Sequence, residues 1–168
     1  MNIARLRKAG AIQVIVGLAQ MVFSLGVVTT FVTQGKSWGS EAFLPVCVVA
    51  GALGILAVIC GFGARGGIWL LGLFGTIALI LNRFLGMNFI RWVILISPSV
   101  DGGYFVFAFI TTVLIEVSLT TASGIVVMTS RDDLGSAARA SANTFIVLLG
   151  IAALVVSLVL LFFSWVVH

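Results

Sequence analysis

The chain has 168 residues; 61% are hydrophobic, 8% are charged, and the net charge is +4. An ordinary soluble domain is about 25% charged. With a mean hydropathy of +1.29, this composition excludes a soluble enzyme, a secreted disulfide scaffold and a disordered tail, and it points to an integral membrane protein.

A helix that crosses a bilayer needs about 20 apolar residues. Five stretches qualify, at 9–32, 43–63, 67–85, 103–128 and 143–167. The expected fold is therefore all-α: a polytopic transmembrane helix bundle of about five spans, forming a single domain over 1–168. Runs such as Val46-Cys47-Val48-Val49-Ala50 are apolar on every side, which favours helices over the period-two strands of a membrane barrel. The loops are too short to fold a soluble domain, so any chemistry is confined to the bilayer or its surface.

The first span follows Arg5, Arg7 and Lys8 and reads as a retained signal-anchor, because the apolar run is long and Gln13 and Gln20 interrupt it. Its small and polar residues, Gly10, Gln13, Gly17, Gln20 and Ser24, are spaced 3, 4, 3, 4, which places them on one seam of a left-handed helix packing. In the second span Cys47, Ala50, Gly54, Ala57 and Gly61 repeat that spacing. Val16 and Val58 are expected to lie off these seams. Cys47 and Cys60 are thirteen residues apart on one helix, about 20 Å, and cannot pair with each other. The glycines of Gly61-x-Gly63-x-x-Gly66 mimic a dinucleotide fingerprint, but they lie between two membrane helices and read as a tight turn anchored by Arg65.

The third span offers Gly72, Gly75 and Asn82 for packing. The apolar run from Phe84 to Ile96 is short and contains Asn88 and Arg91, so it is expected to be a surface-lying helix or a broken continuation of the third span. In the fourth span Ala108, Thr112, Glu116, Thr120 and Gly124 recur every four residues, with Ser123 beside them. A mid-span carboxyl is costly in lipid and is by default a functional hypothesis. Two readings stay open: a paired or protonated Glu116 that holds helices together, or an ion or proton site. Arg83 is the expected partner. It lies about 24 Å from the inner end of its span and Glu116 about 18 Å from its own, an offset a snorkelling Arg can bridge. The fifth span carries Gly150, Ala153, Ser157 and Ser164 in a similar register.

Lys/Arg bias sets orientation. With the N-terminus inside, the inner side holds Arg5, Arg7, Lys8, Arg65, Arg131 and Arg139, against Lys36, Arg83 and Arg91 outside, and His168 falls outside. His168 is the only histidine, so no metal cluster, haem ligand pair or catalytic triad can be assembled. No cofactor and no nucleic-acid partner is expected, and the inner basic residues are accounted for by topology and anionic lipid.

The run Ala9-Gly10-Ala11-Ile12-Gln13-Val14 resembles the opening of the first span in the membrane-spanning four-domain family that includes the B-lymphocyte antigen. Trp38 and Pro45 followed by Ala50 to Gly54 are similar to that family's second span, and Leu114-Ile115-Glu116-Val117-Ser118-Leu119 to its last. The likeness covers about residues 8–130. It departs from the family in a fifth apolar segment. It implies a non-enzymatic oligomer that associates with receptors or modulates ion flux.

The leading expectation is a non-enzymatic, multi-pass accessory or structural subunit. It would dock beside other membrane proteins, or a second copy, through small-residue faces marked by Gly10, Gln13, Gly17, Gln20, Gly54 and Gly61. The plainer reading of the seams is that they close the chain's own bundle, and the sharper one is that a seam docks another subunit. The alternative function is an ion channel or transporter component using Arg83, Thr112, Glu116 and Thr120. A membrane-embedded enzyme is disfavoured by the lack of nucleophile–base pairs. The location expected is the plasma membrane or another cellular membrane, with the mitochondrial inner membrane left open.

Overall fold

The computed structural model describes residues 1–34, 43–96, 102–131 and 135–166. Among these the chain is all-helical: α1 (Ile3–Gln34), α2 (Phe43–Arg65), α3 (Trp69–Ile96), α4 (Gly102–Thr129) and α5 (Ser136–Val166). Three helical stretches are long and apolar enough to cross a membrane, Ile3–Leu25, Pro45–Arg65 and Ser136–Val159; Trp69–Phe84 and Val113–Thr129 are shorter apolar stretches.

Local chemistry sets several helix ends. Asn2 caps α1: its side-chain oxygen accepts from the Arg5 N–H at 3.1 Å. At the end of α2, the Ile68 N–H donates to the Gly63 carbonyl at 3.1 Å and the Gly67 N–H to the Ala64 carbonyl at 3.0 Å. This crossed pair is a Schellman stop, and it needs a left-handed residue just past the helix. Gly67 supplies it with φ +95°. The glycine cluster after Gly61 is thus a helix stop that reverses the chain into α3.

The expected boundaries need two corrections. α3 runs unbroken from Trp69 to Ile96, 28 residues or about 42 Å, in place of a span ending at 85 followed by a separate segment. The sequence from Phe84 to Ile96 holds no proline, and a lone Gly86 does not stop a helix. α1 and α5 begin at Ile3 and Ser136, ahead of the apolar runs at 9 and 143. Hydropathy marks where side chains are apolar, whereas the helical backbone continues through Arg5, Arg7, Lys8 and Arg139.

Consecutive helices alternate in direction. α1 touches α2, α3 and α4; α3 touches the other four helices; α5 lies against α4 and α3. The start of α1 is tied to the ends of its antiparallel neighbours. The Asn2 N–H donates to the Ser130 carbonyl at 2.7 Å, Arg5 Nη1 to the Thr129 carbonyl at 3.4 Å and Arg7 Nε to the Arg65 carbonyl at 3.3 Å. Trp69 Nε1 donates to the Val127 carbonyl at 2.9 Å, and the Arg131 guanidinium sits 4.8 Å from the Trp69 ring centre. Leu6, Ala9, Ala64 and Val127 form a buried cluster at this end, and Val16, Ala57, Ala78 and Leu79 a second one further along.

Polar residues join the apolar ones inside, and large apolar side chains are exposed. Gln13, Thr76, Asn82, Ser123 and Ser157 are buried, while Ile15, Val22, Phe23, Ile59, Phe62 and Phe145 are exposed. A water-soluble fold would gain roughly 1.5–3 kcal/mol by burying each such side chain.

Candidate functional site

The tightest feature is the α1–α2 contact. Gly10 faces Gly61, and Gly17 faces Gly54, each pair seven residues from the next on antiparallel helices. A methyl group on Gly17 would stand 2.8 Å from the Gly54 carbonyl oxygen, and one on Gly61 2.7 Å from that of Gly10. A methyl on Gly10 would run into the Gly61 carbonyl oxygen. The absence of side chains lets the backbones meet, which is how helices gain dispersion energy in lipid. Four of the six residues expected on a packing or partner face are therefore occupied within the chain, backbone against backbone. Val16 and Val58 are not bystanders. Val16 is 2% exposed, and Val58 Cγ2 would be 3.0 Å from a methyl on Gly17.

The other two face residues turn toward α3. Gln13 is fully buried, and its Nε2 donates to the Gly72 carbonyl at 2.6 Å and to Thr76 Oγ1 at 3.1 Å. The absence of a side chain at Gly75 makes room for it: a methyl there would lie 2.5 Å from Gln13 Oε1. One heptad on, Gln20 Oε1 accepts from Asn82 Nδ2 at 2.7 Å, and the same nitrogen donates to the Ala50 carbonyl at 2.9 Å, joining α1, α2 and α3. The first-span seam is thus a wedge, with its glycines against α2 and its glutamines against α3.

Next to Asn82 on α3, Arg83 Nη1 donates to Glu116 Oε2 of α4 at 2.6 Å. The pair is largely buried, 11% and 18% exposed. Counted from Trp69 and Thr129, the observed ends of α3 and α4, the two residues stand about 21 and 20 Å along their helices. They are level, and no snorkelling offset is needed. Among the described residues Arg83 Nε and Nη2, both buried, have no hydrogen-bond partner. Thr120, one turn from Glu116, is 7% exposed. The side chain of Thr112 lies outside the described residues. Gly124 continues that face under Ile146 of α5 and Thr76 of α3.

Sequence reasoning passed over Thr76, which lies one turn after Gly72 and shares its carbonyl with Gln13. It also missed Asn2 and Ser130, which join the ends of α1 and α4. Their signal is weak: small polar residues at helix ends read as caps, and nothing in their spacing names a partner. Among the described residues no three His, Cys, Asp or Glu side chains gather where a metal ion could be held. Cys47 and Cys60 are buried free thiols.

No family model matches the chain, and neither a curated protein nor a solved structure matches it.

Proposed function

We propose that the chain is a non-enzymatic, five-span membrane protein that serves as an accessory or structural subunit. The observation that carries this reading is where the buried polar groups are spent. Gln13, Asn82, Arg83 and Ser123 each bond to another helix, and large apolar side chains are exposed along the helices. In lipid such bonds cement helices. A continuous α3 supports an odd number of crossings, because a single helix cannot turn back within Phe84 to Ile96. The seams at Gly10, Gly17, Gly54 and Gly61 are filled by the chain itself. A partner helix therefore meets α5, whose outer face carries Phe145, Leu148, Ile151 and Val155. The resemblance to the membrane-spanning four-domain family points the same way, toward a non-enzymatic oligomer.

Single cysteines at Ser37, Ser99 and Ser136, with Cys47 and Cys60 replaced by Ala, test the crossings with an impermeant label. Ser37 and Ser99 are expected to react from one side and Ser136 from the other. Reaction of Ser136 together with Ser37 overturns the five-span reading. Native mass in mild detergent tests the subunit reading: the expected particle holds a companion chain or a second copy in fixed ratio. A lone chain under every mild condition counts against it.

A second reading, a channel or transporter component, is favoured by one observation: beside Glu116, Arg83 keeps two buried donors with no partner among the described residues. It is separated from the first by ion flux in reconstituted vesicles.

A further inference from the structure

The close approach of Gly10 and Gly61 has an electrostatic consequence at the basic end of α1 and α2. A methyl on Gly10 would lie 2.9 Å from Arg65 Cγ, so Arg65 leaves α2 directly beside α1. One turn back on α1, Arg7 Nε donates to the Arg65 carbonyl at 3.3 Å. Lys8 is the next residue along. Two cationic side chains are thereby drawn to one helix crossing, with Lys8 beside Arg7 in the chain, and all three are exposed. Among the described residues no carboxylate pairs with them. Like charges brought together repel, and the Arg7 bond to a carbonyl occupies Nε while its terminal nitrogens remain available. Positive charge presented this way complements the negative charge of a phosphate.

An apolar track starts at the same place. The Arg65 guanidinium lies 5.9 Å from the Phe62 ring centre, and Phe62, Ile59 and Ile55 follow at helical spacing along α2, all exposed. A charged head at Arg7, Lys8 and Arg65 continued by a hydrocarbon tail along these three residues is the outline of an amphiphile.

We propose that this crossing is a binding site for one anionic phospholipid. Its phosphate sits among Arg7, Lys8 and Arg65, and an acyl chain lies on Phe62, Ile59 and Ile55. The proposal rests on the membrane reading above and goes beyond it by assigning a site, a headgroup charge and a tail path. It differs from a general attraction of basic ends to anionic membranes because it excludes Arg139, which lies on α5.

The test uses the full chain in neutral detergent micelles and follows its thermal midpoint and its lipid adducts in native mass spectra. The additives are dioleoylphosphatidylglycerol, dioleoylphosphatidylcholine and inorganic phosphate. Phosphatidylglycerol is expected to raise the midpoint and to remain as a one-lipid adduct; phosphatidylcholine and inorganic phosphate are expected to do neither. Arg7→Gln with Arg65→Gln should weaken the response about 25-fold, roughly fivefold per charge removed near a membrane surface. Arg7→Lys with Arg65→Lys should keep most of it, which separates loss of charge from loss of fold. Arg139→Gln should leave it unchanged. An equal response to inorganic phosphate, or an equal loss in Arg139→Gln, overturns the proposal. Failure of the chain to float with phosphatidylcholine vesicles would strike the membrane reading itself; flotation with no preference for phosphatidylglycerol strikes this site alone.

Discussion

Gly17→Leu is expected to prevent the native packing of α1 on α2. The nearest atoms are the Gly54 carbonyl oxygen, Val58 Cγ2 and Ala57 Cβ, all within 3.2 Å of where the first side-chain carbon would stand. A backbone carbonyl cannot rotate aside, so the helices must separate. Overpacking a well-filled core costs about 1–3 kcal/mol, and separation also forfeits the neighbouring Gly10–Gly61 contact, so the upper end of that range is expected. Gly54→Leu should do the same, since its side chain would meet the Gly17 carbonyl and the Met21 backbone. Val22→Leu and Val48→Leu add bulk on exposed positions of the same two helices and should change the midpoint little. Thermal unfolding in detergent, followed by loss of monodispersity, measures all four. Equal midpoints across the set would remove the glycine contact as a determinant of the fold.

Glu116→Leu is expected to be the more damaging of two changes at the α3–α4 ion pair. It leaves Arg83 charged, largely buried and without the acceptor it has among the described residues. Removing one member of a buried pair costs about 3–5 kcal/mol. Glu116→Gln keeps an oxygen for Arg83 Nη1 and should retain assembly with a smaller loss. If the pair is cement, the double variant Arg83→Leu with Glu116→Leu should recover much of the stability lost by Glu116→Leu, because no charge is stranded. If the pair belongs to an ion path, Glu116→Gln should abolish or re-tune flux in vesicles while assembly is intact. Flux that is absent in the wild type and in every variant removes the channel reading. A double variant no better than Glu116→Leu removes the cement reading.

How much of this was legible in the sequence depends on the residue. The heptad spacing of Gly10, Gln13, Gly17 and Gln20 placed them on one stripe, and the structure holds them on one stripe. What the spacing could not reveal is that a stripe facing a crevice has two edges. The glycines were assignable to close packing by size, but the choice of α2 for them and α3 for the glutamines is a matter of three-dimensional neighbours. Glu116 and Arg83 stood out because charges are rare in apolar runs, and counting residues from helix ends brought them to similar depth. The residual offset came from misplaced ends: Gly67 is a helix stop, so α3 starts at Trp69. Val16 shows the limit of reading polarity where both the core and the exposed faces are apolar. A valine among valines gives no sign of whether it faces a helix or the outside, and this one is buried.

The orientation of Gln13 and Gln20 bears on the order in which the protein can be built. A chain emerging from the ribosome presents α1 and α2 before α3 exists. The glycine contacts can close that first hairpin at once. The two glutamine side chains lack their later partners at that stage, because Gly72, Thr76 and Asn82 all belong to α3. Each amide held in hydrocarbon without a partner costs several kcal/mol. Until α3 is made, an α1–α2 hairpin lacks the groups that Gln13 and Gln20 bond in the finished fold. Two side chains near the beginning of the chain thus tie the first hairpin to a helix made later.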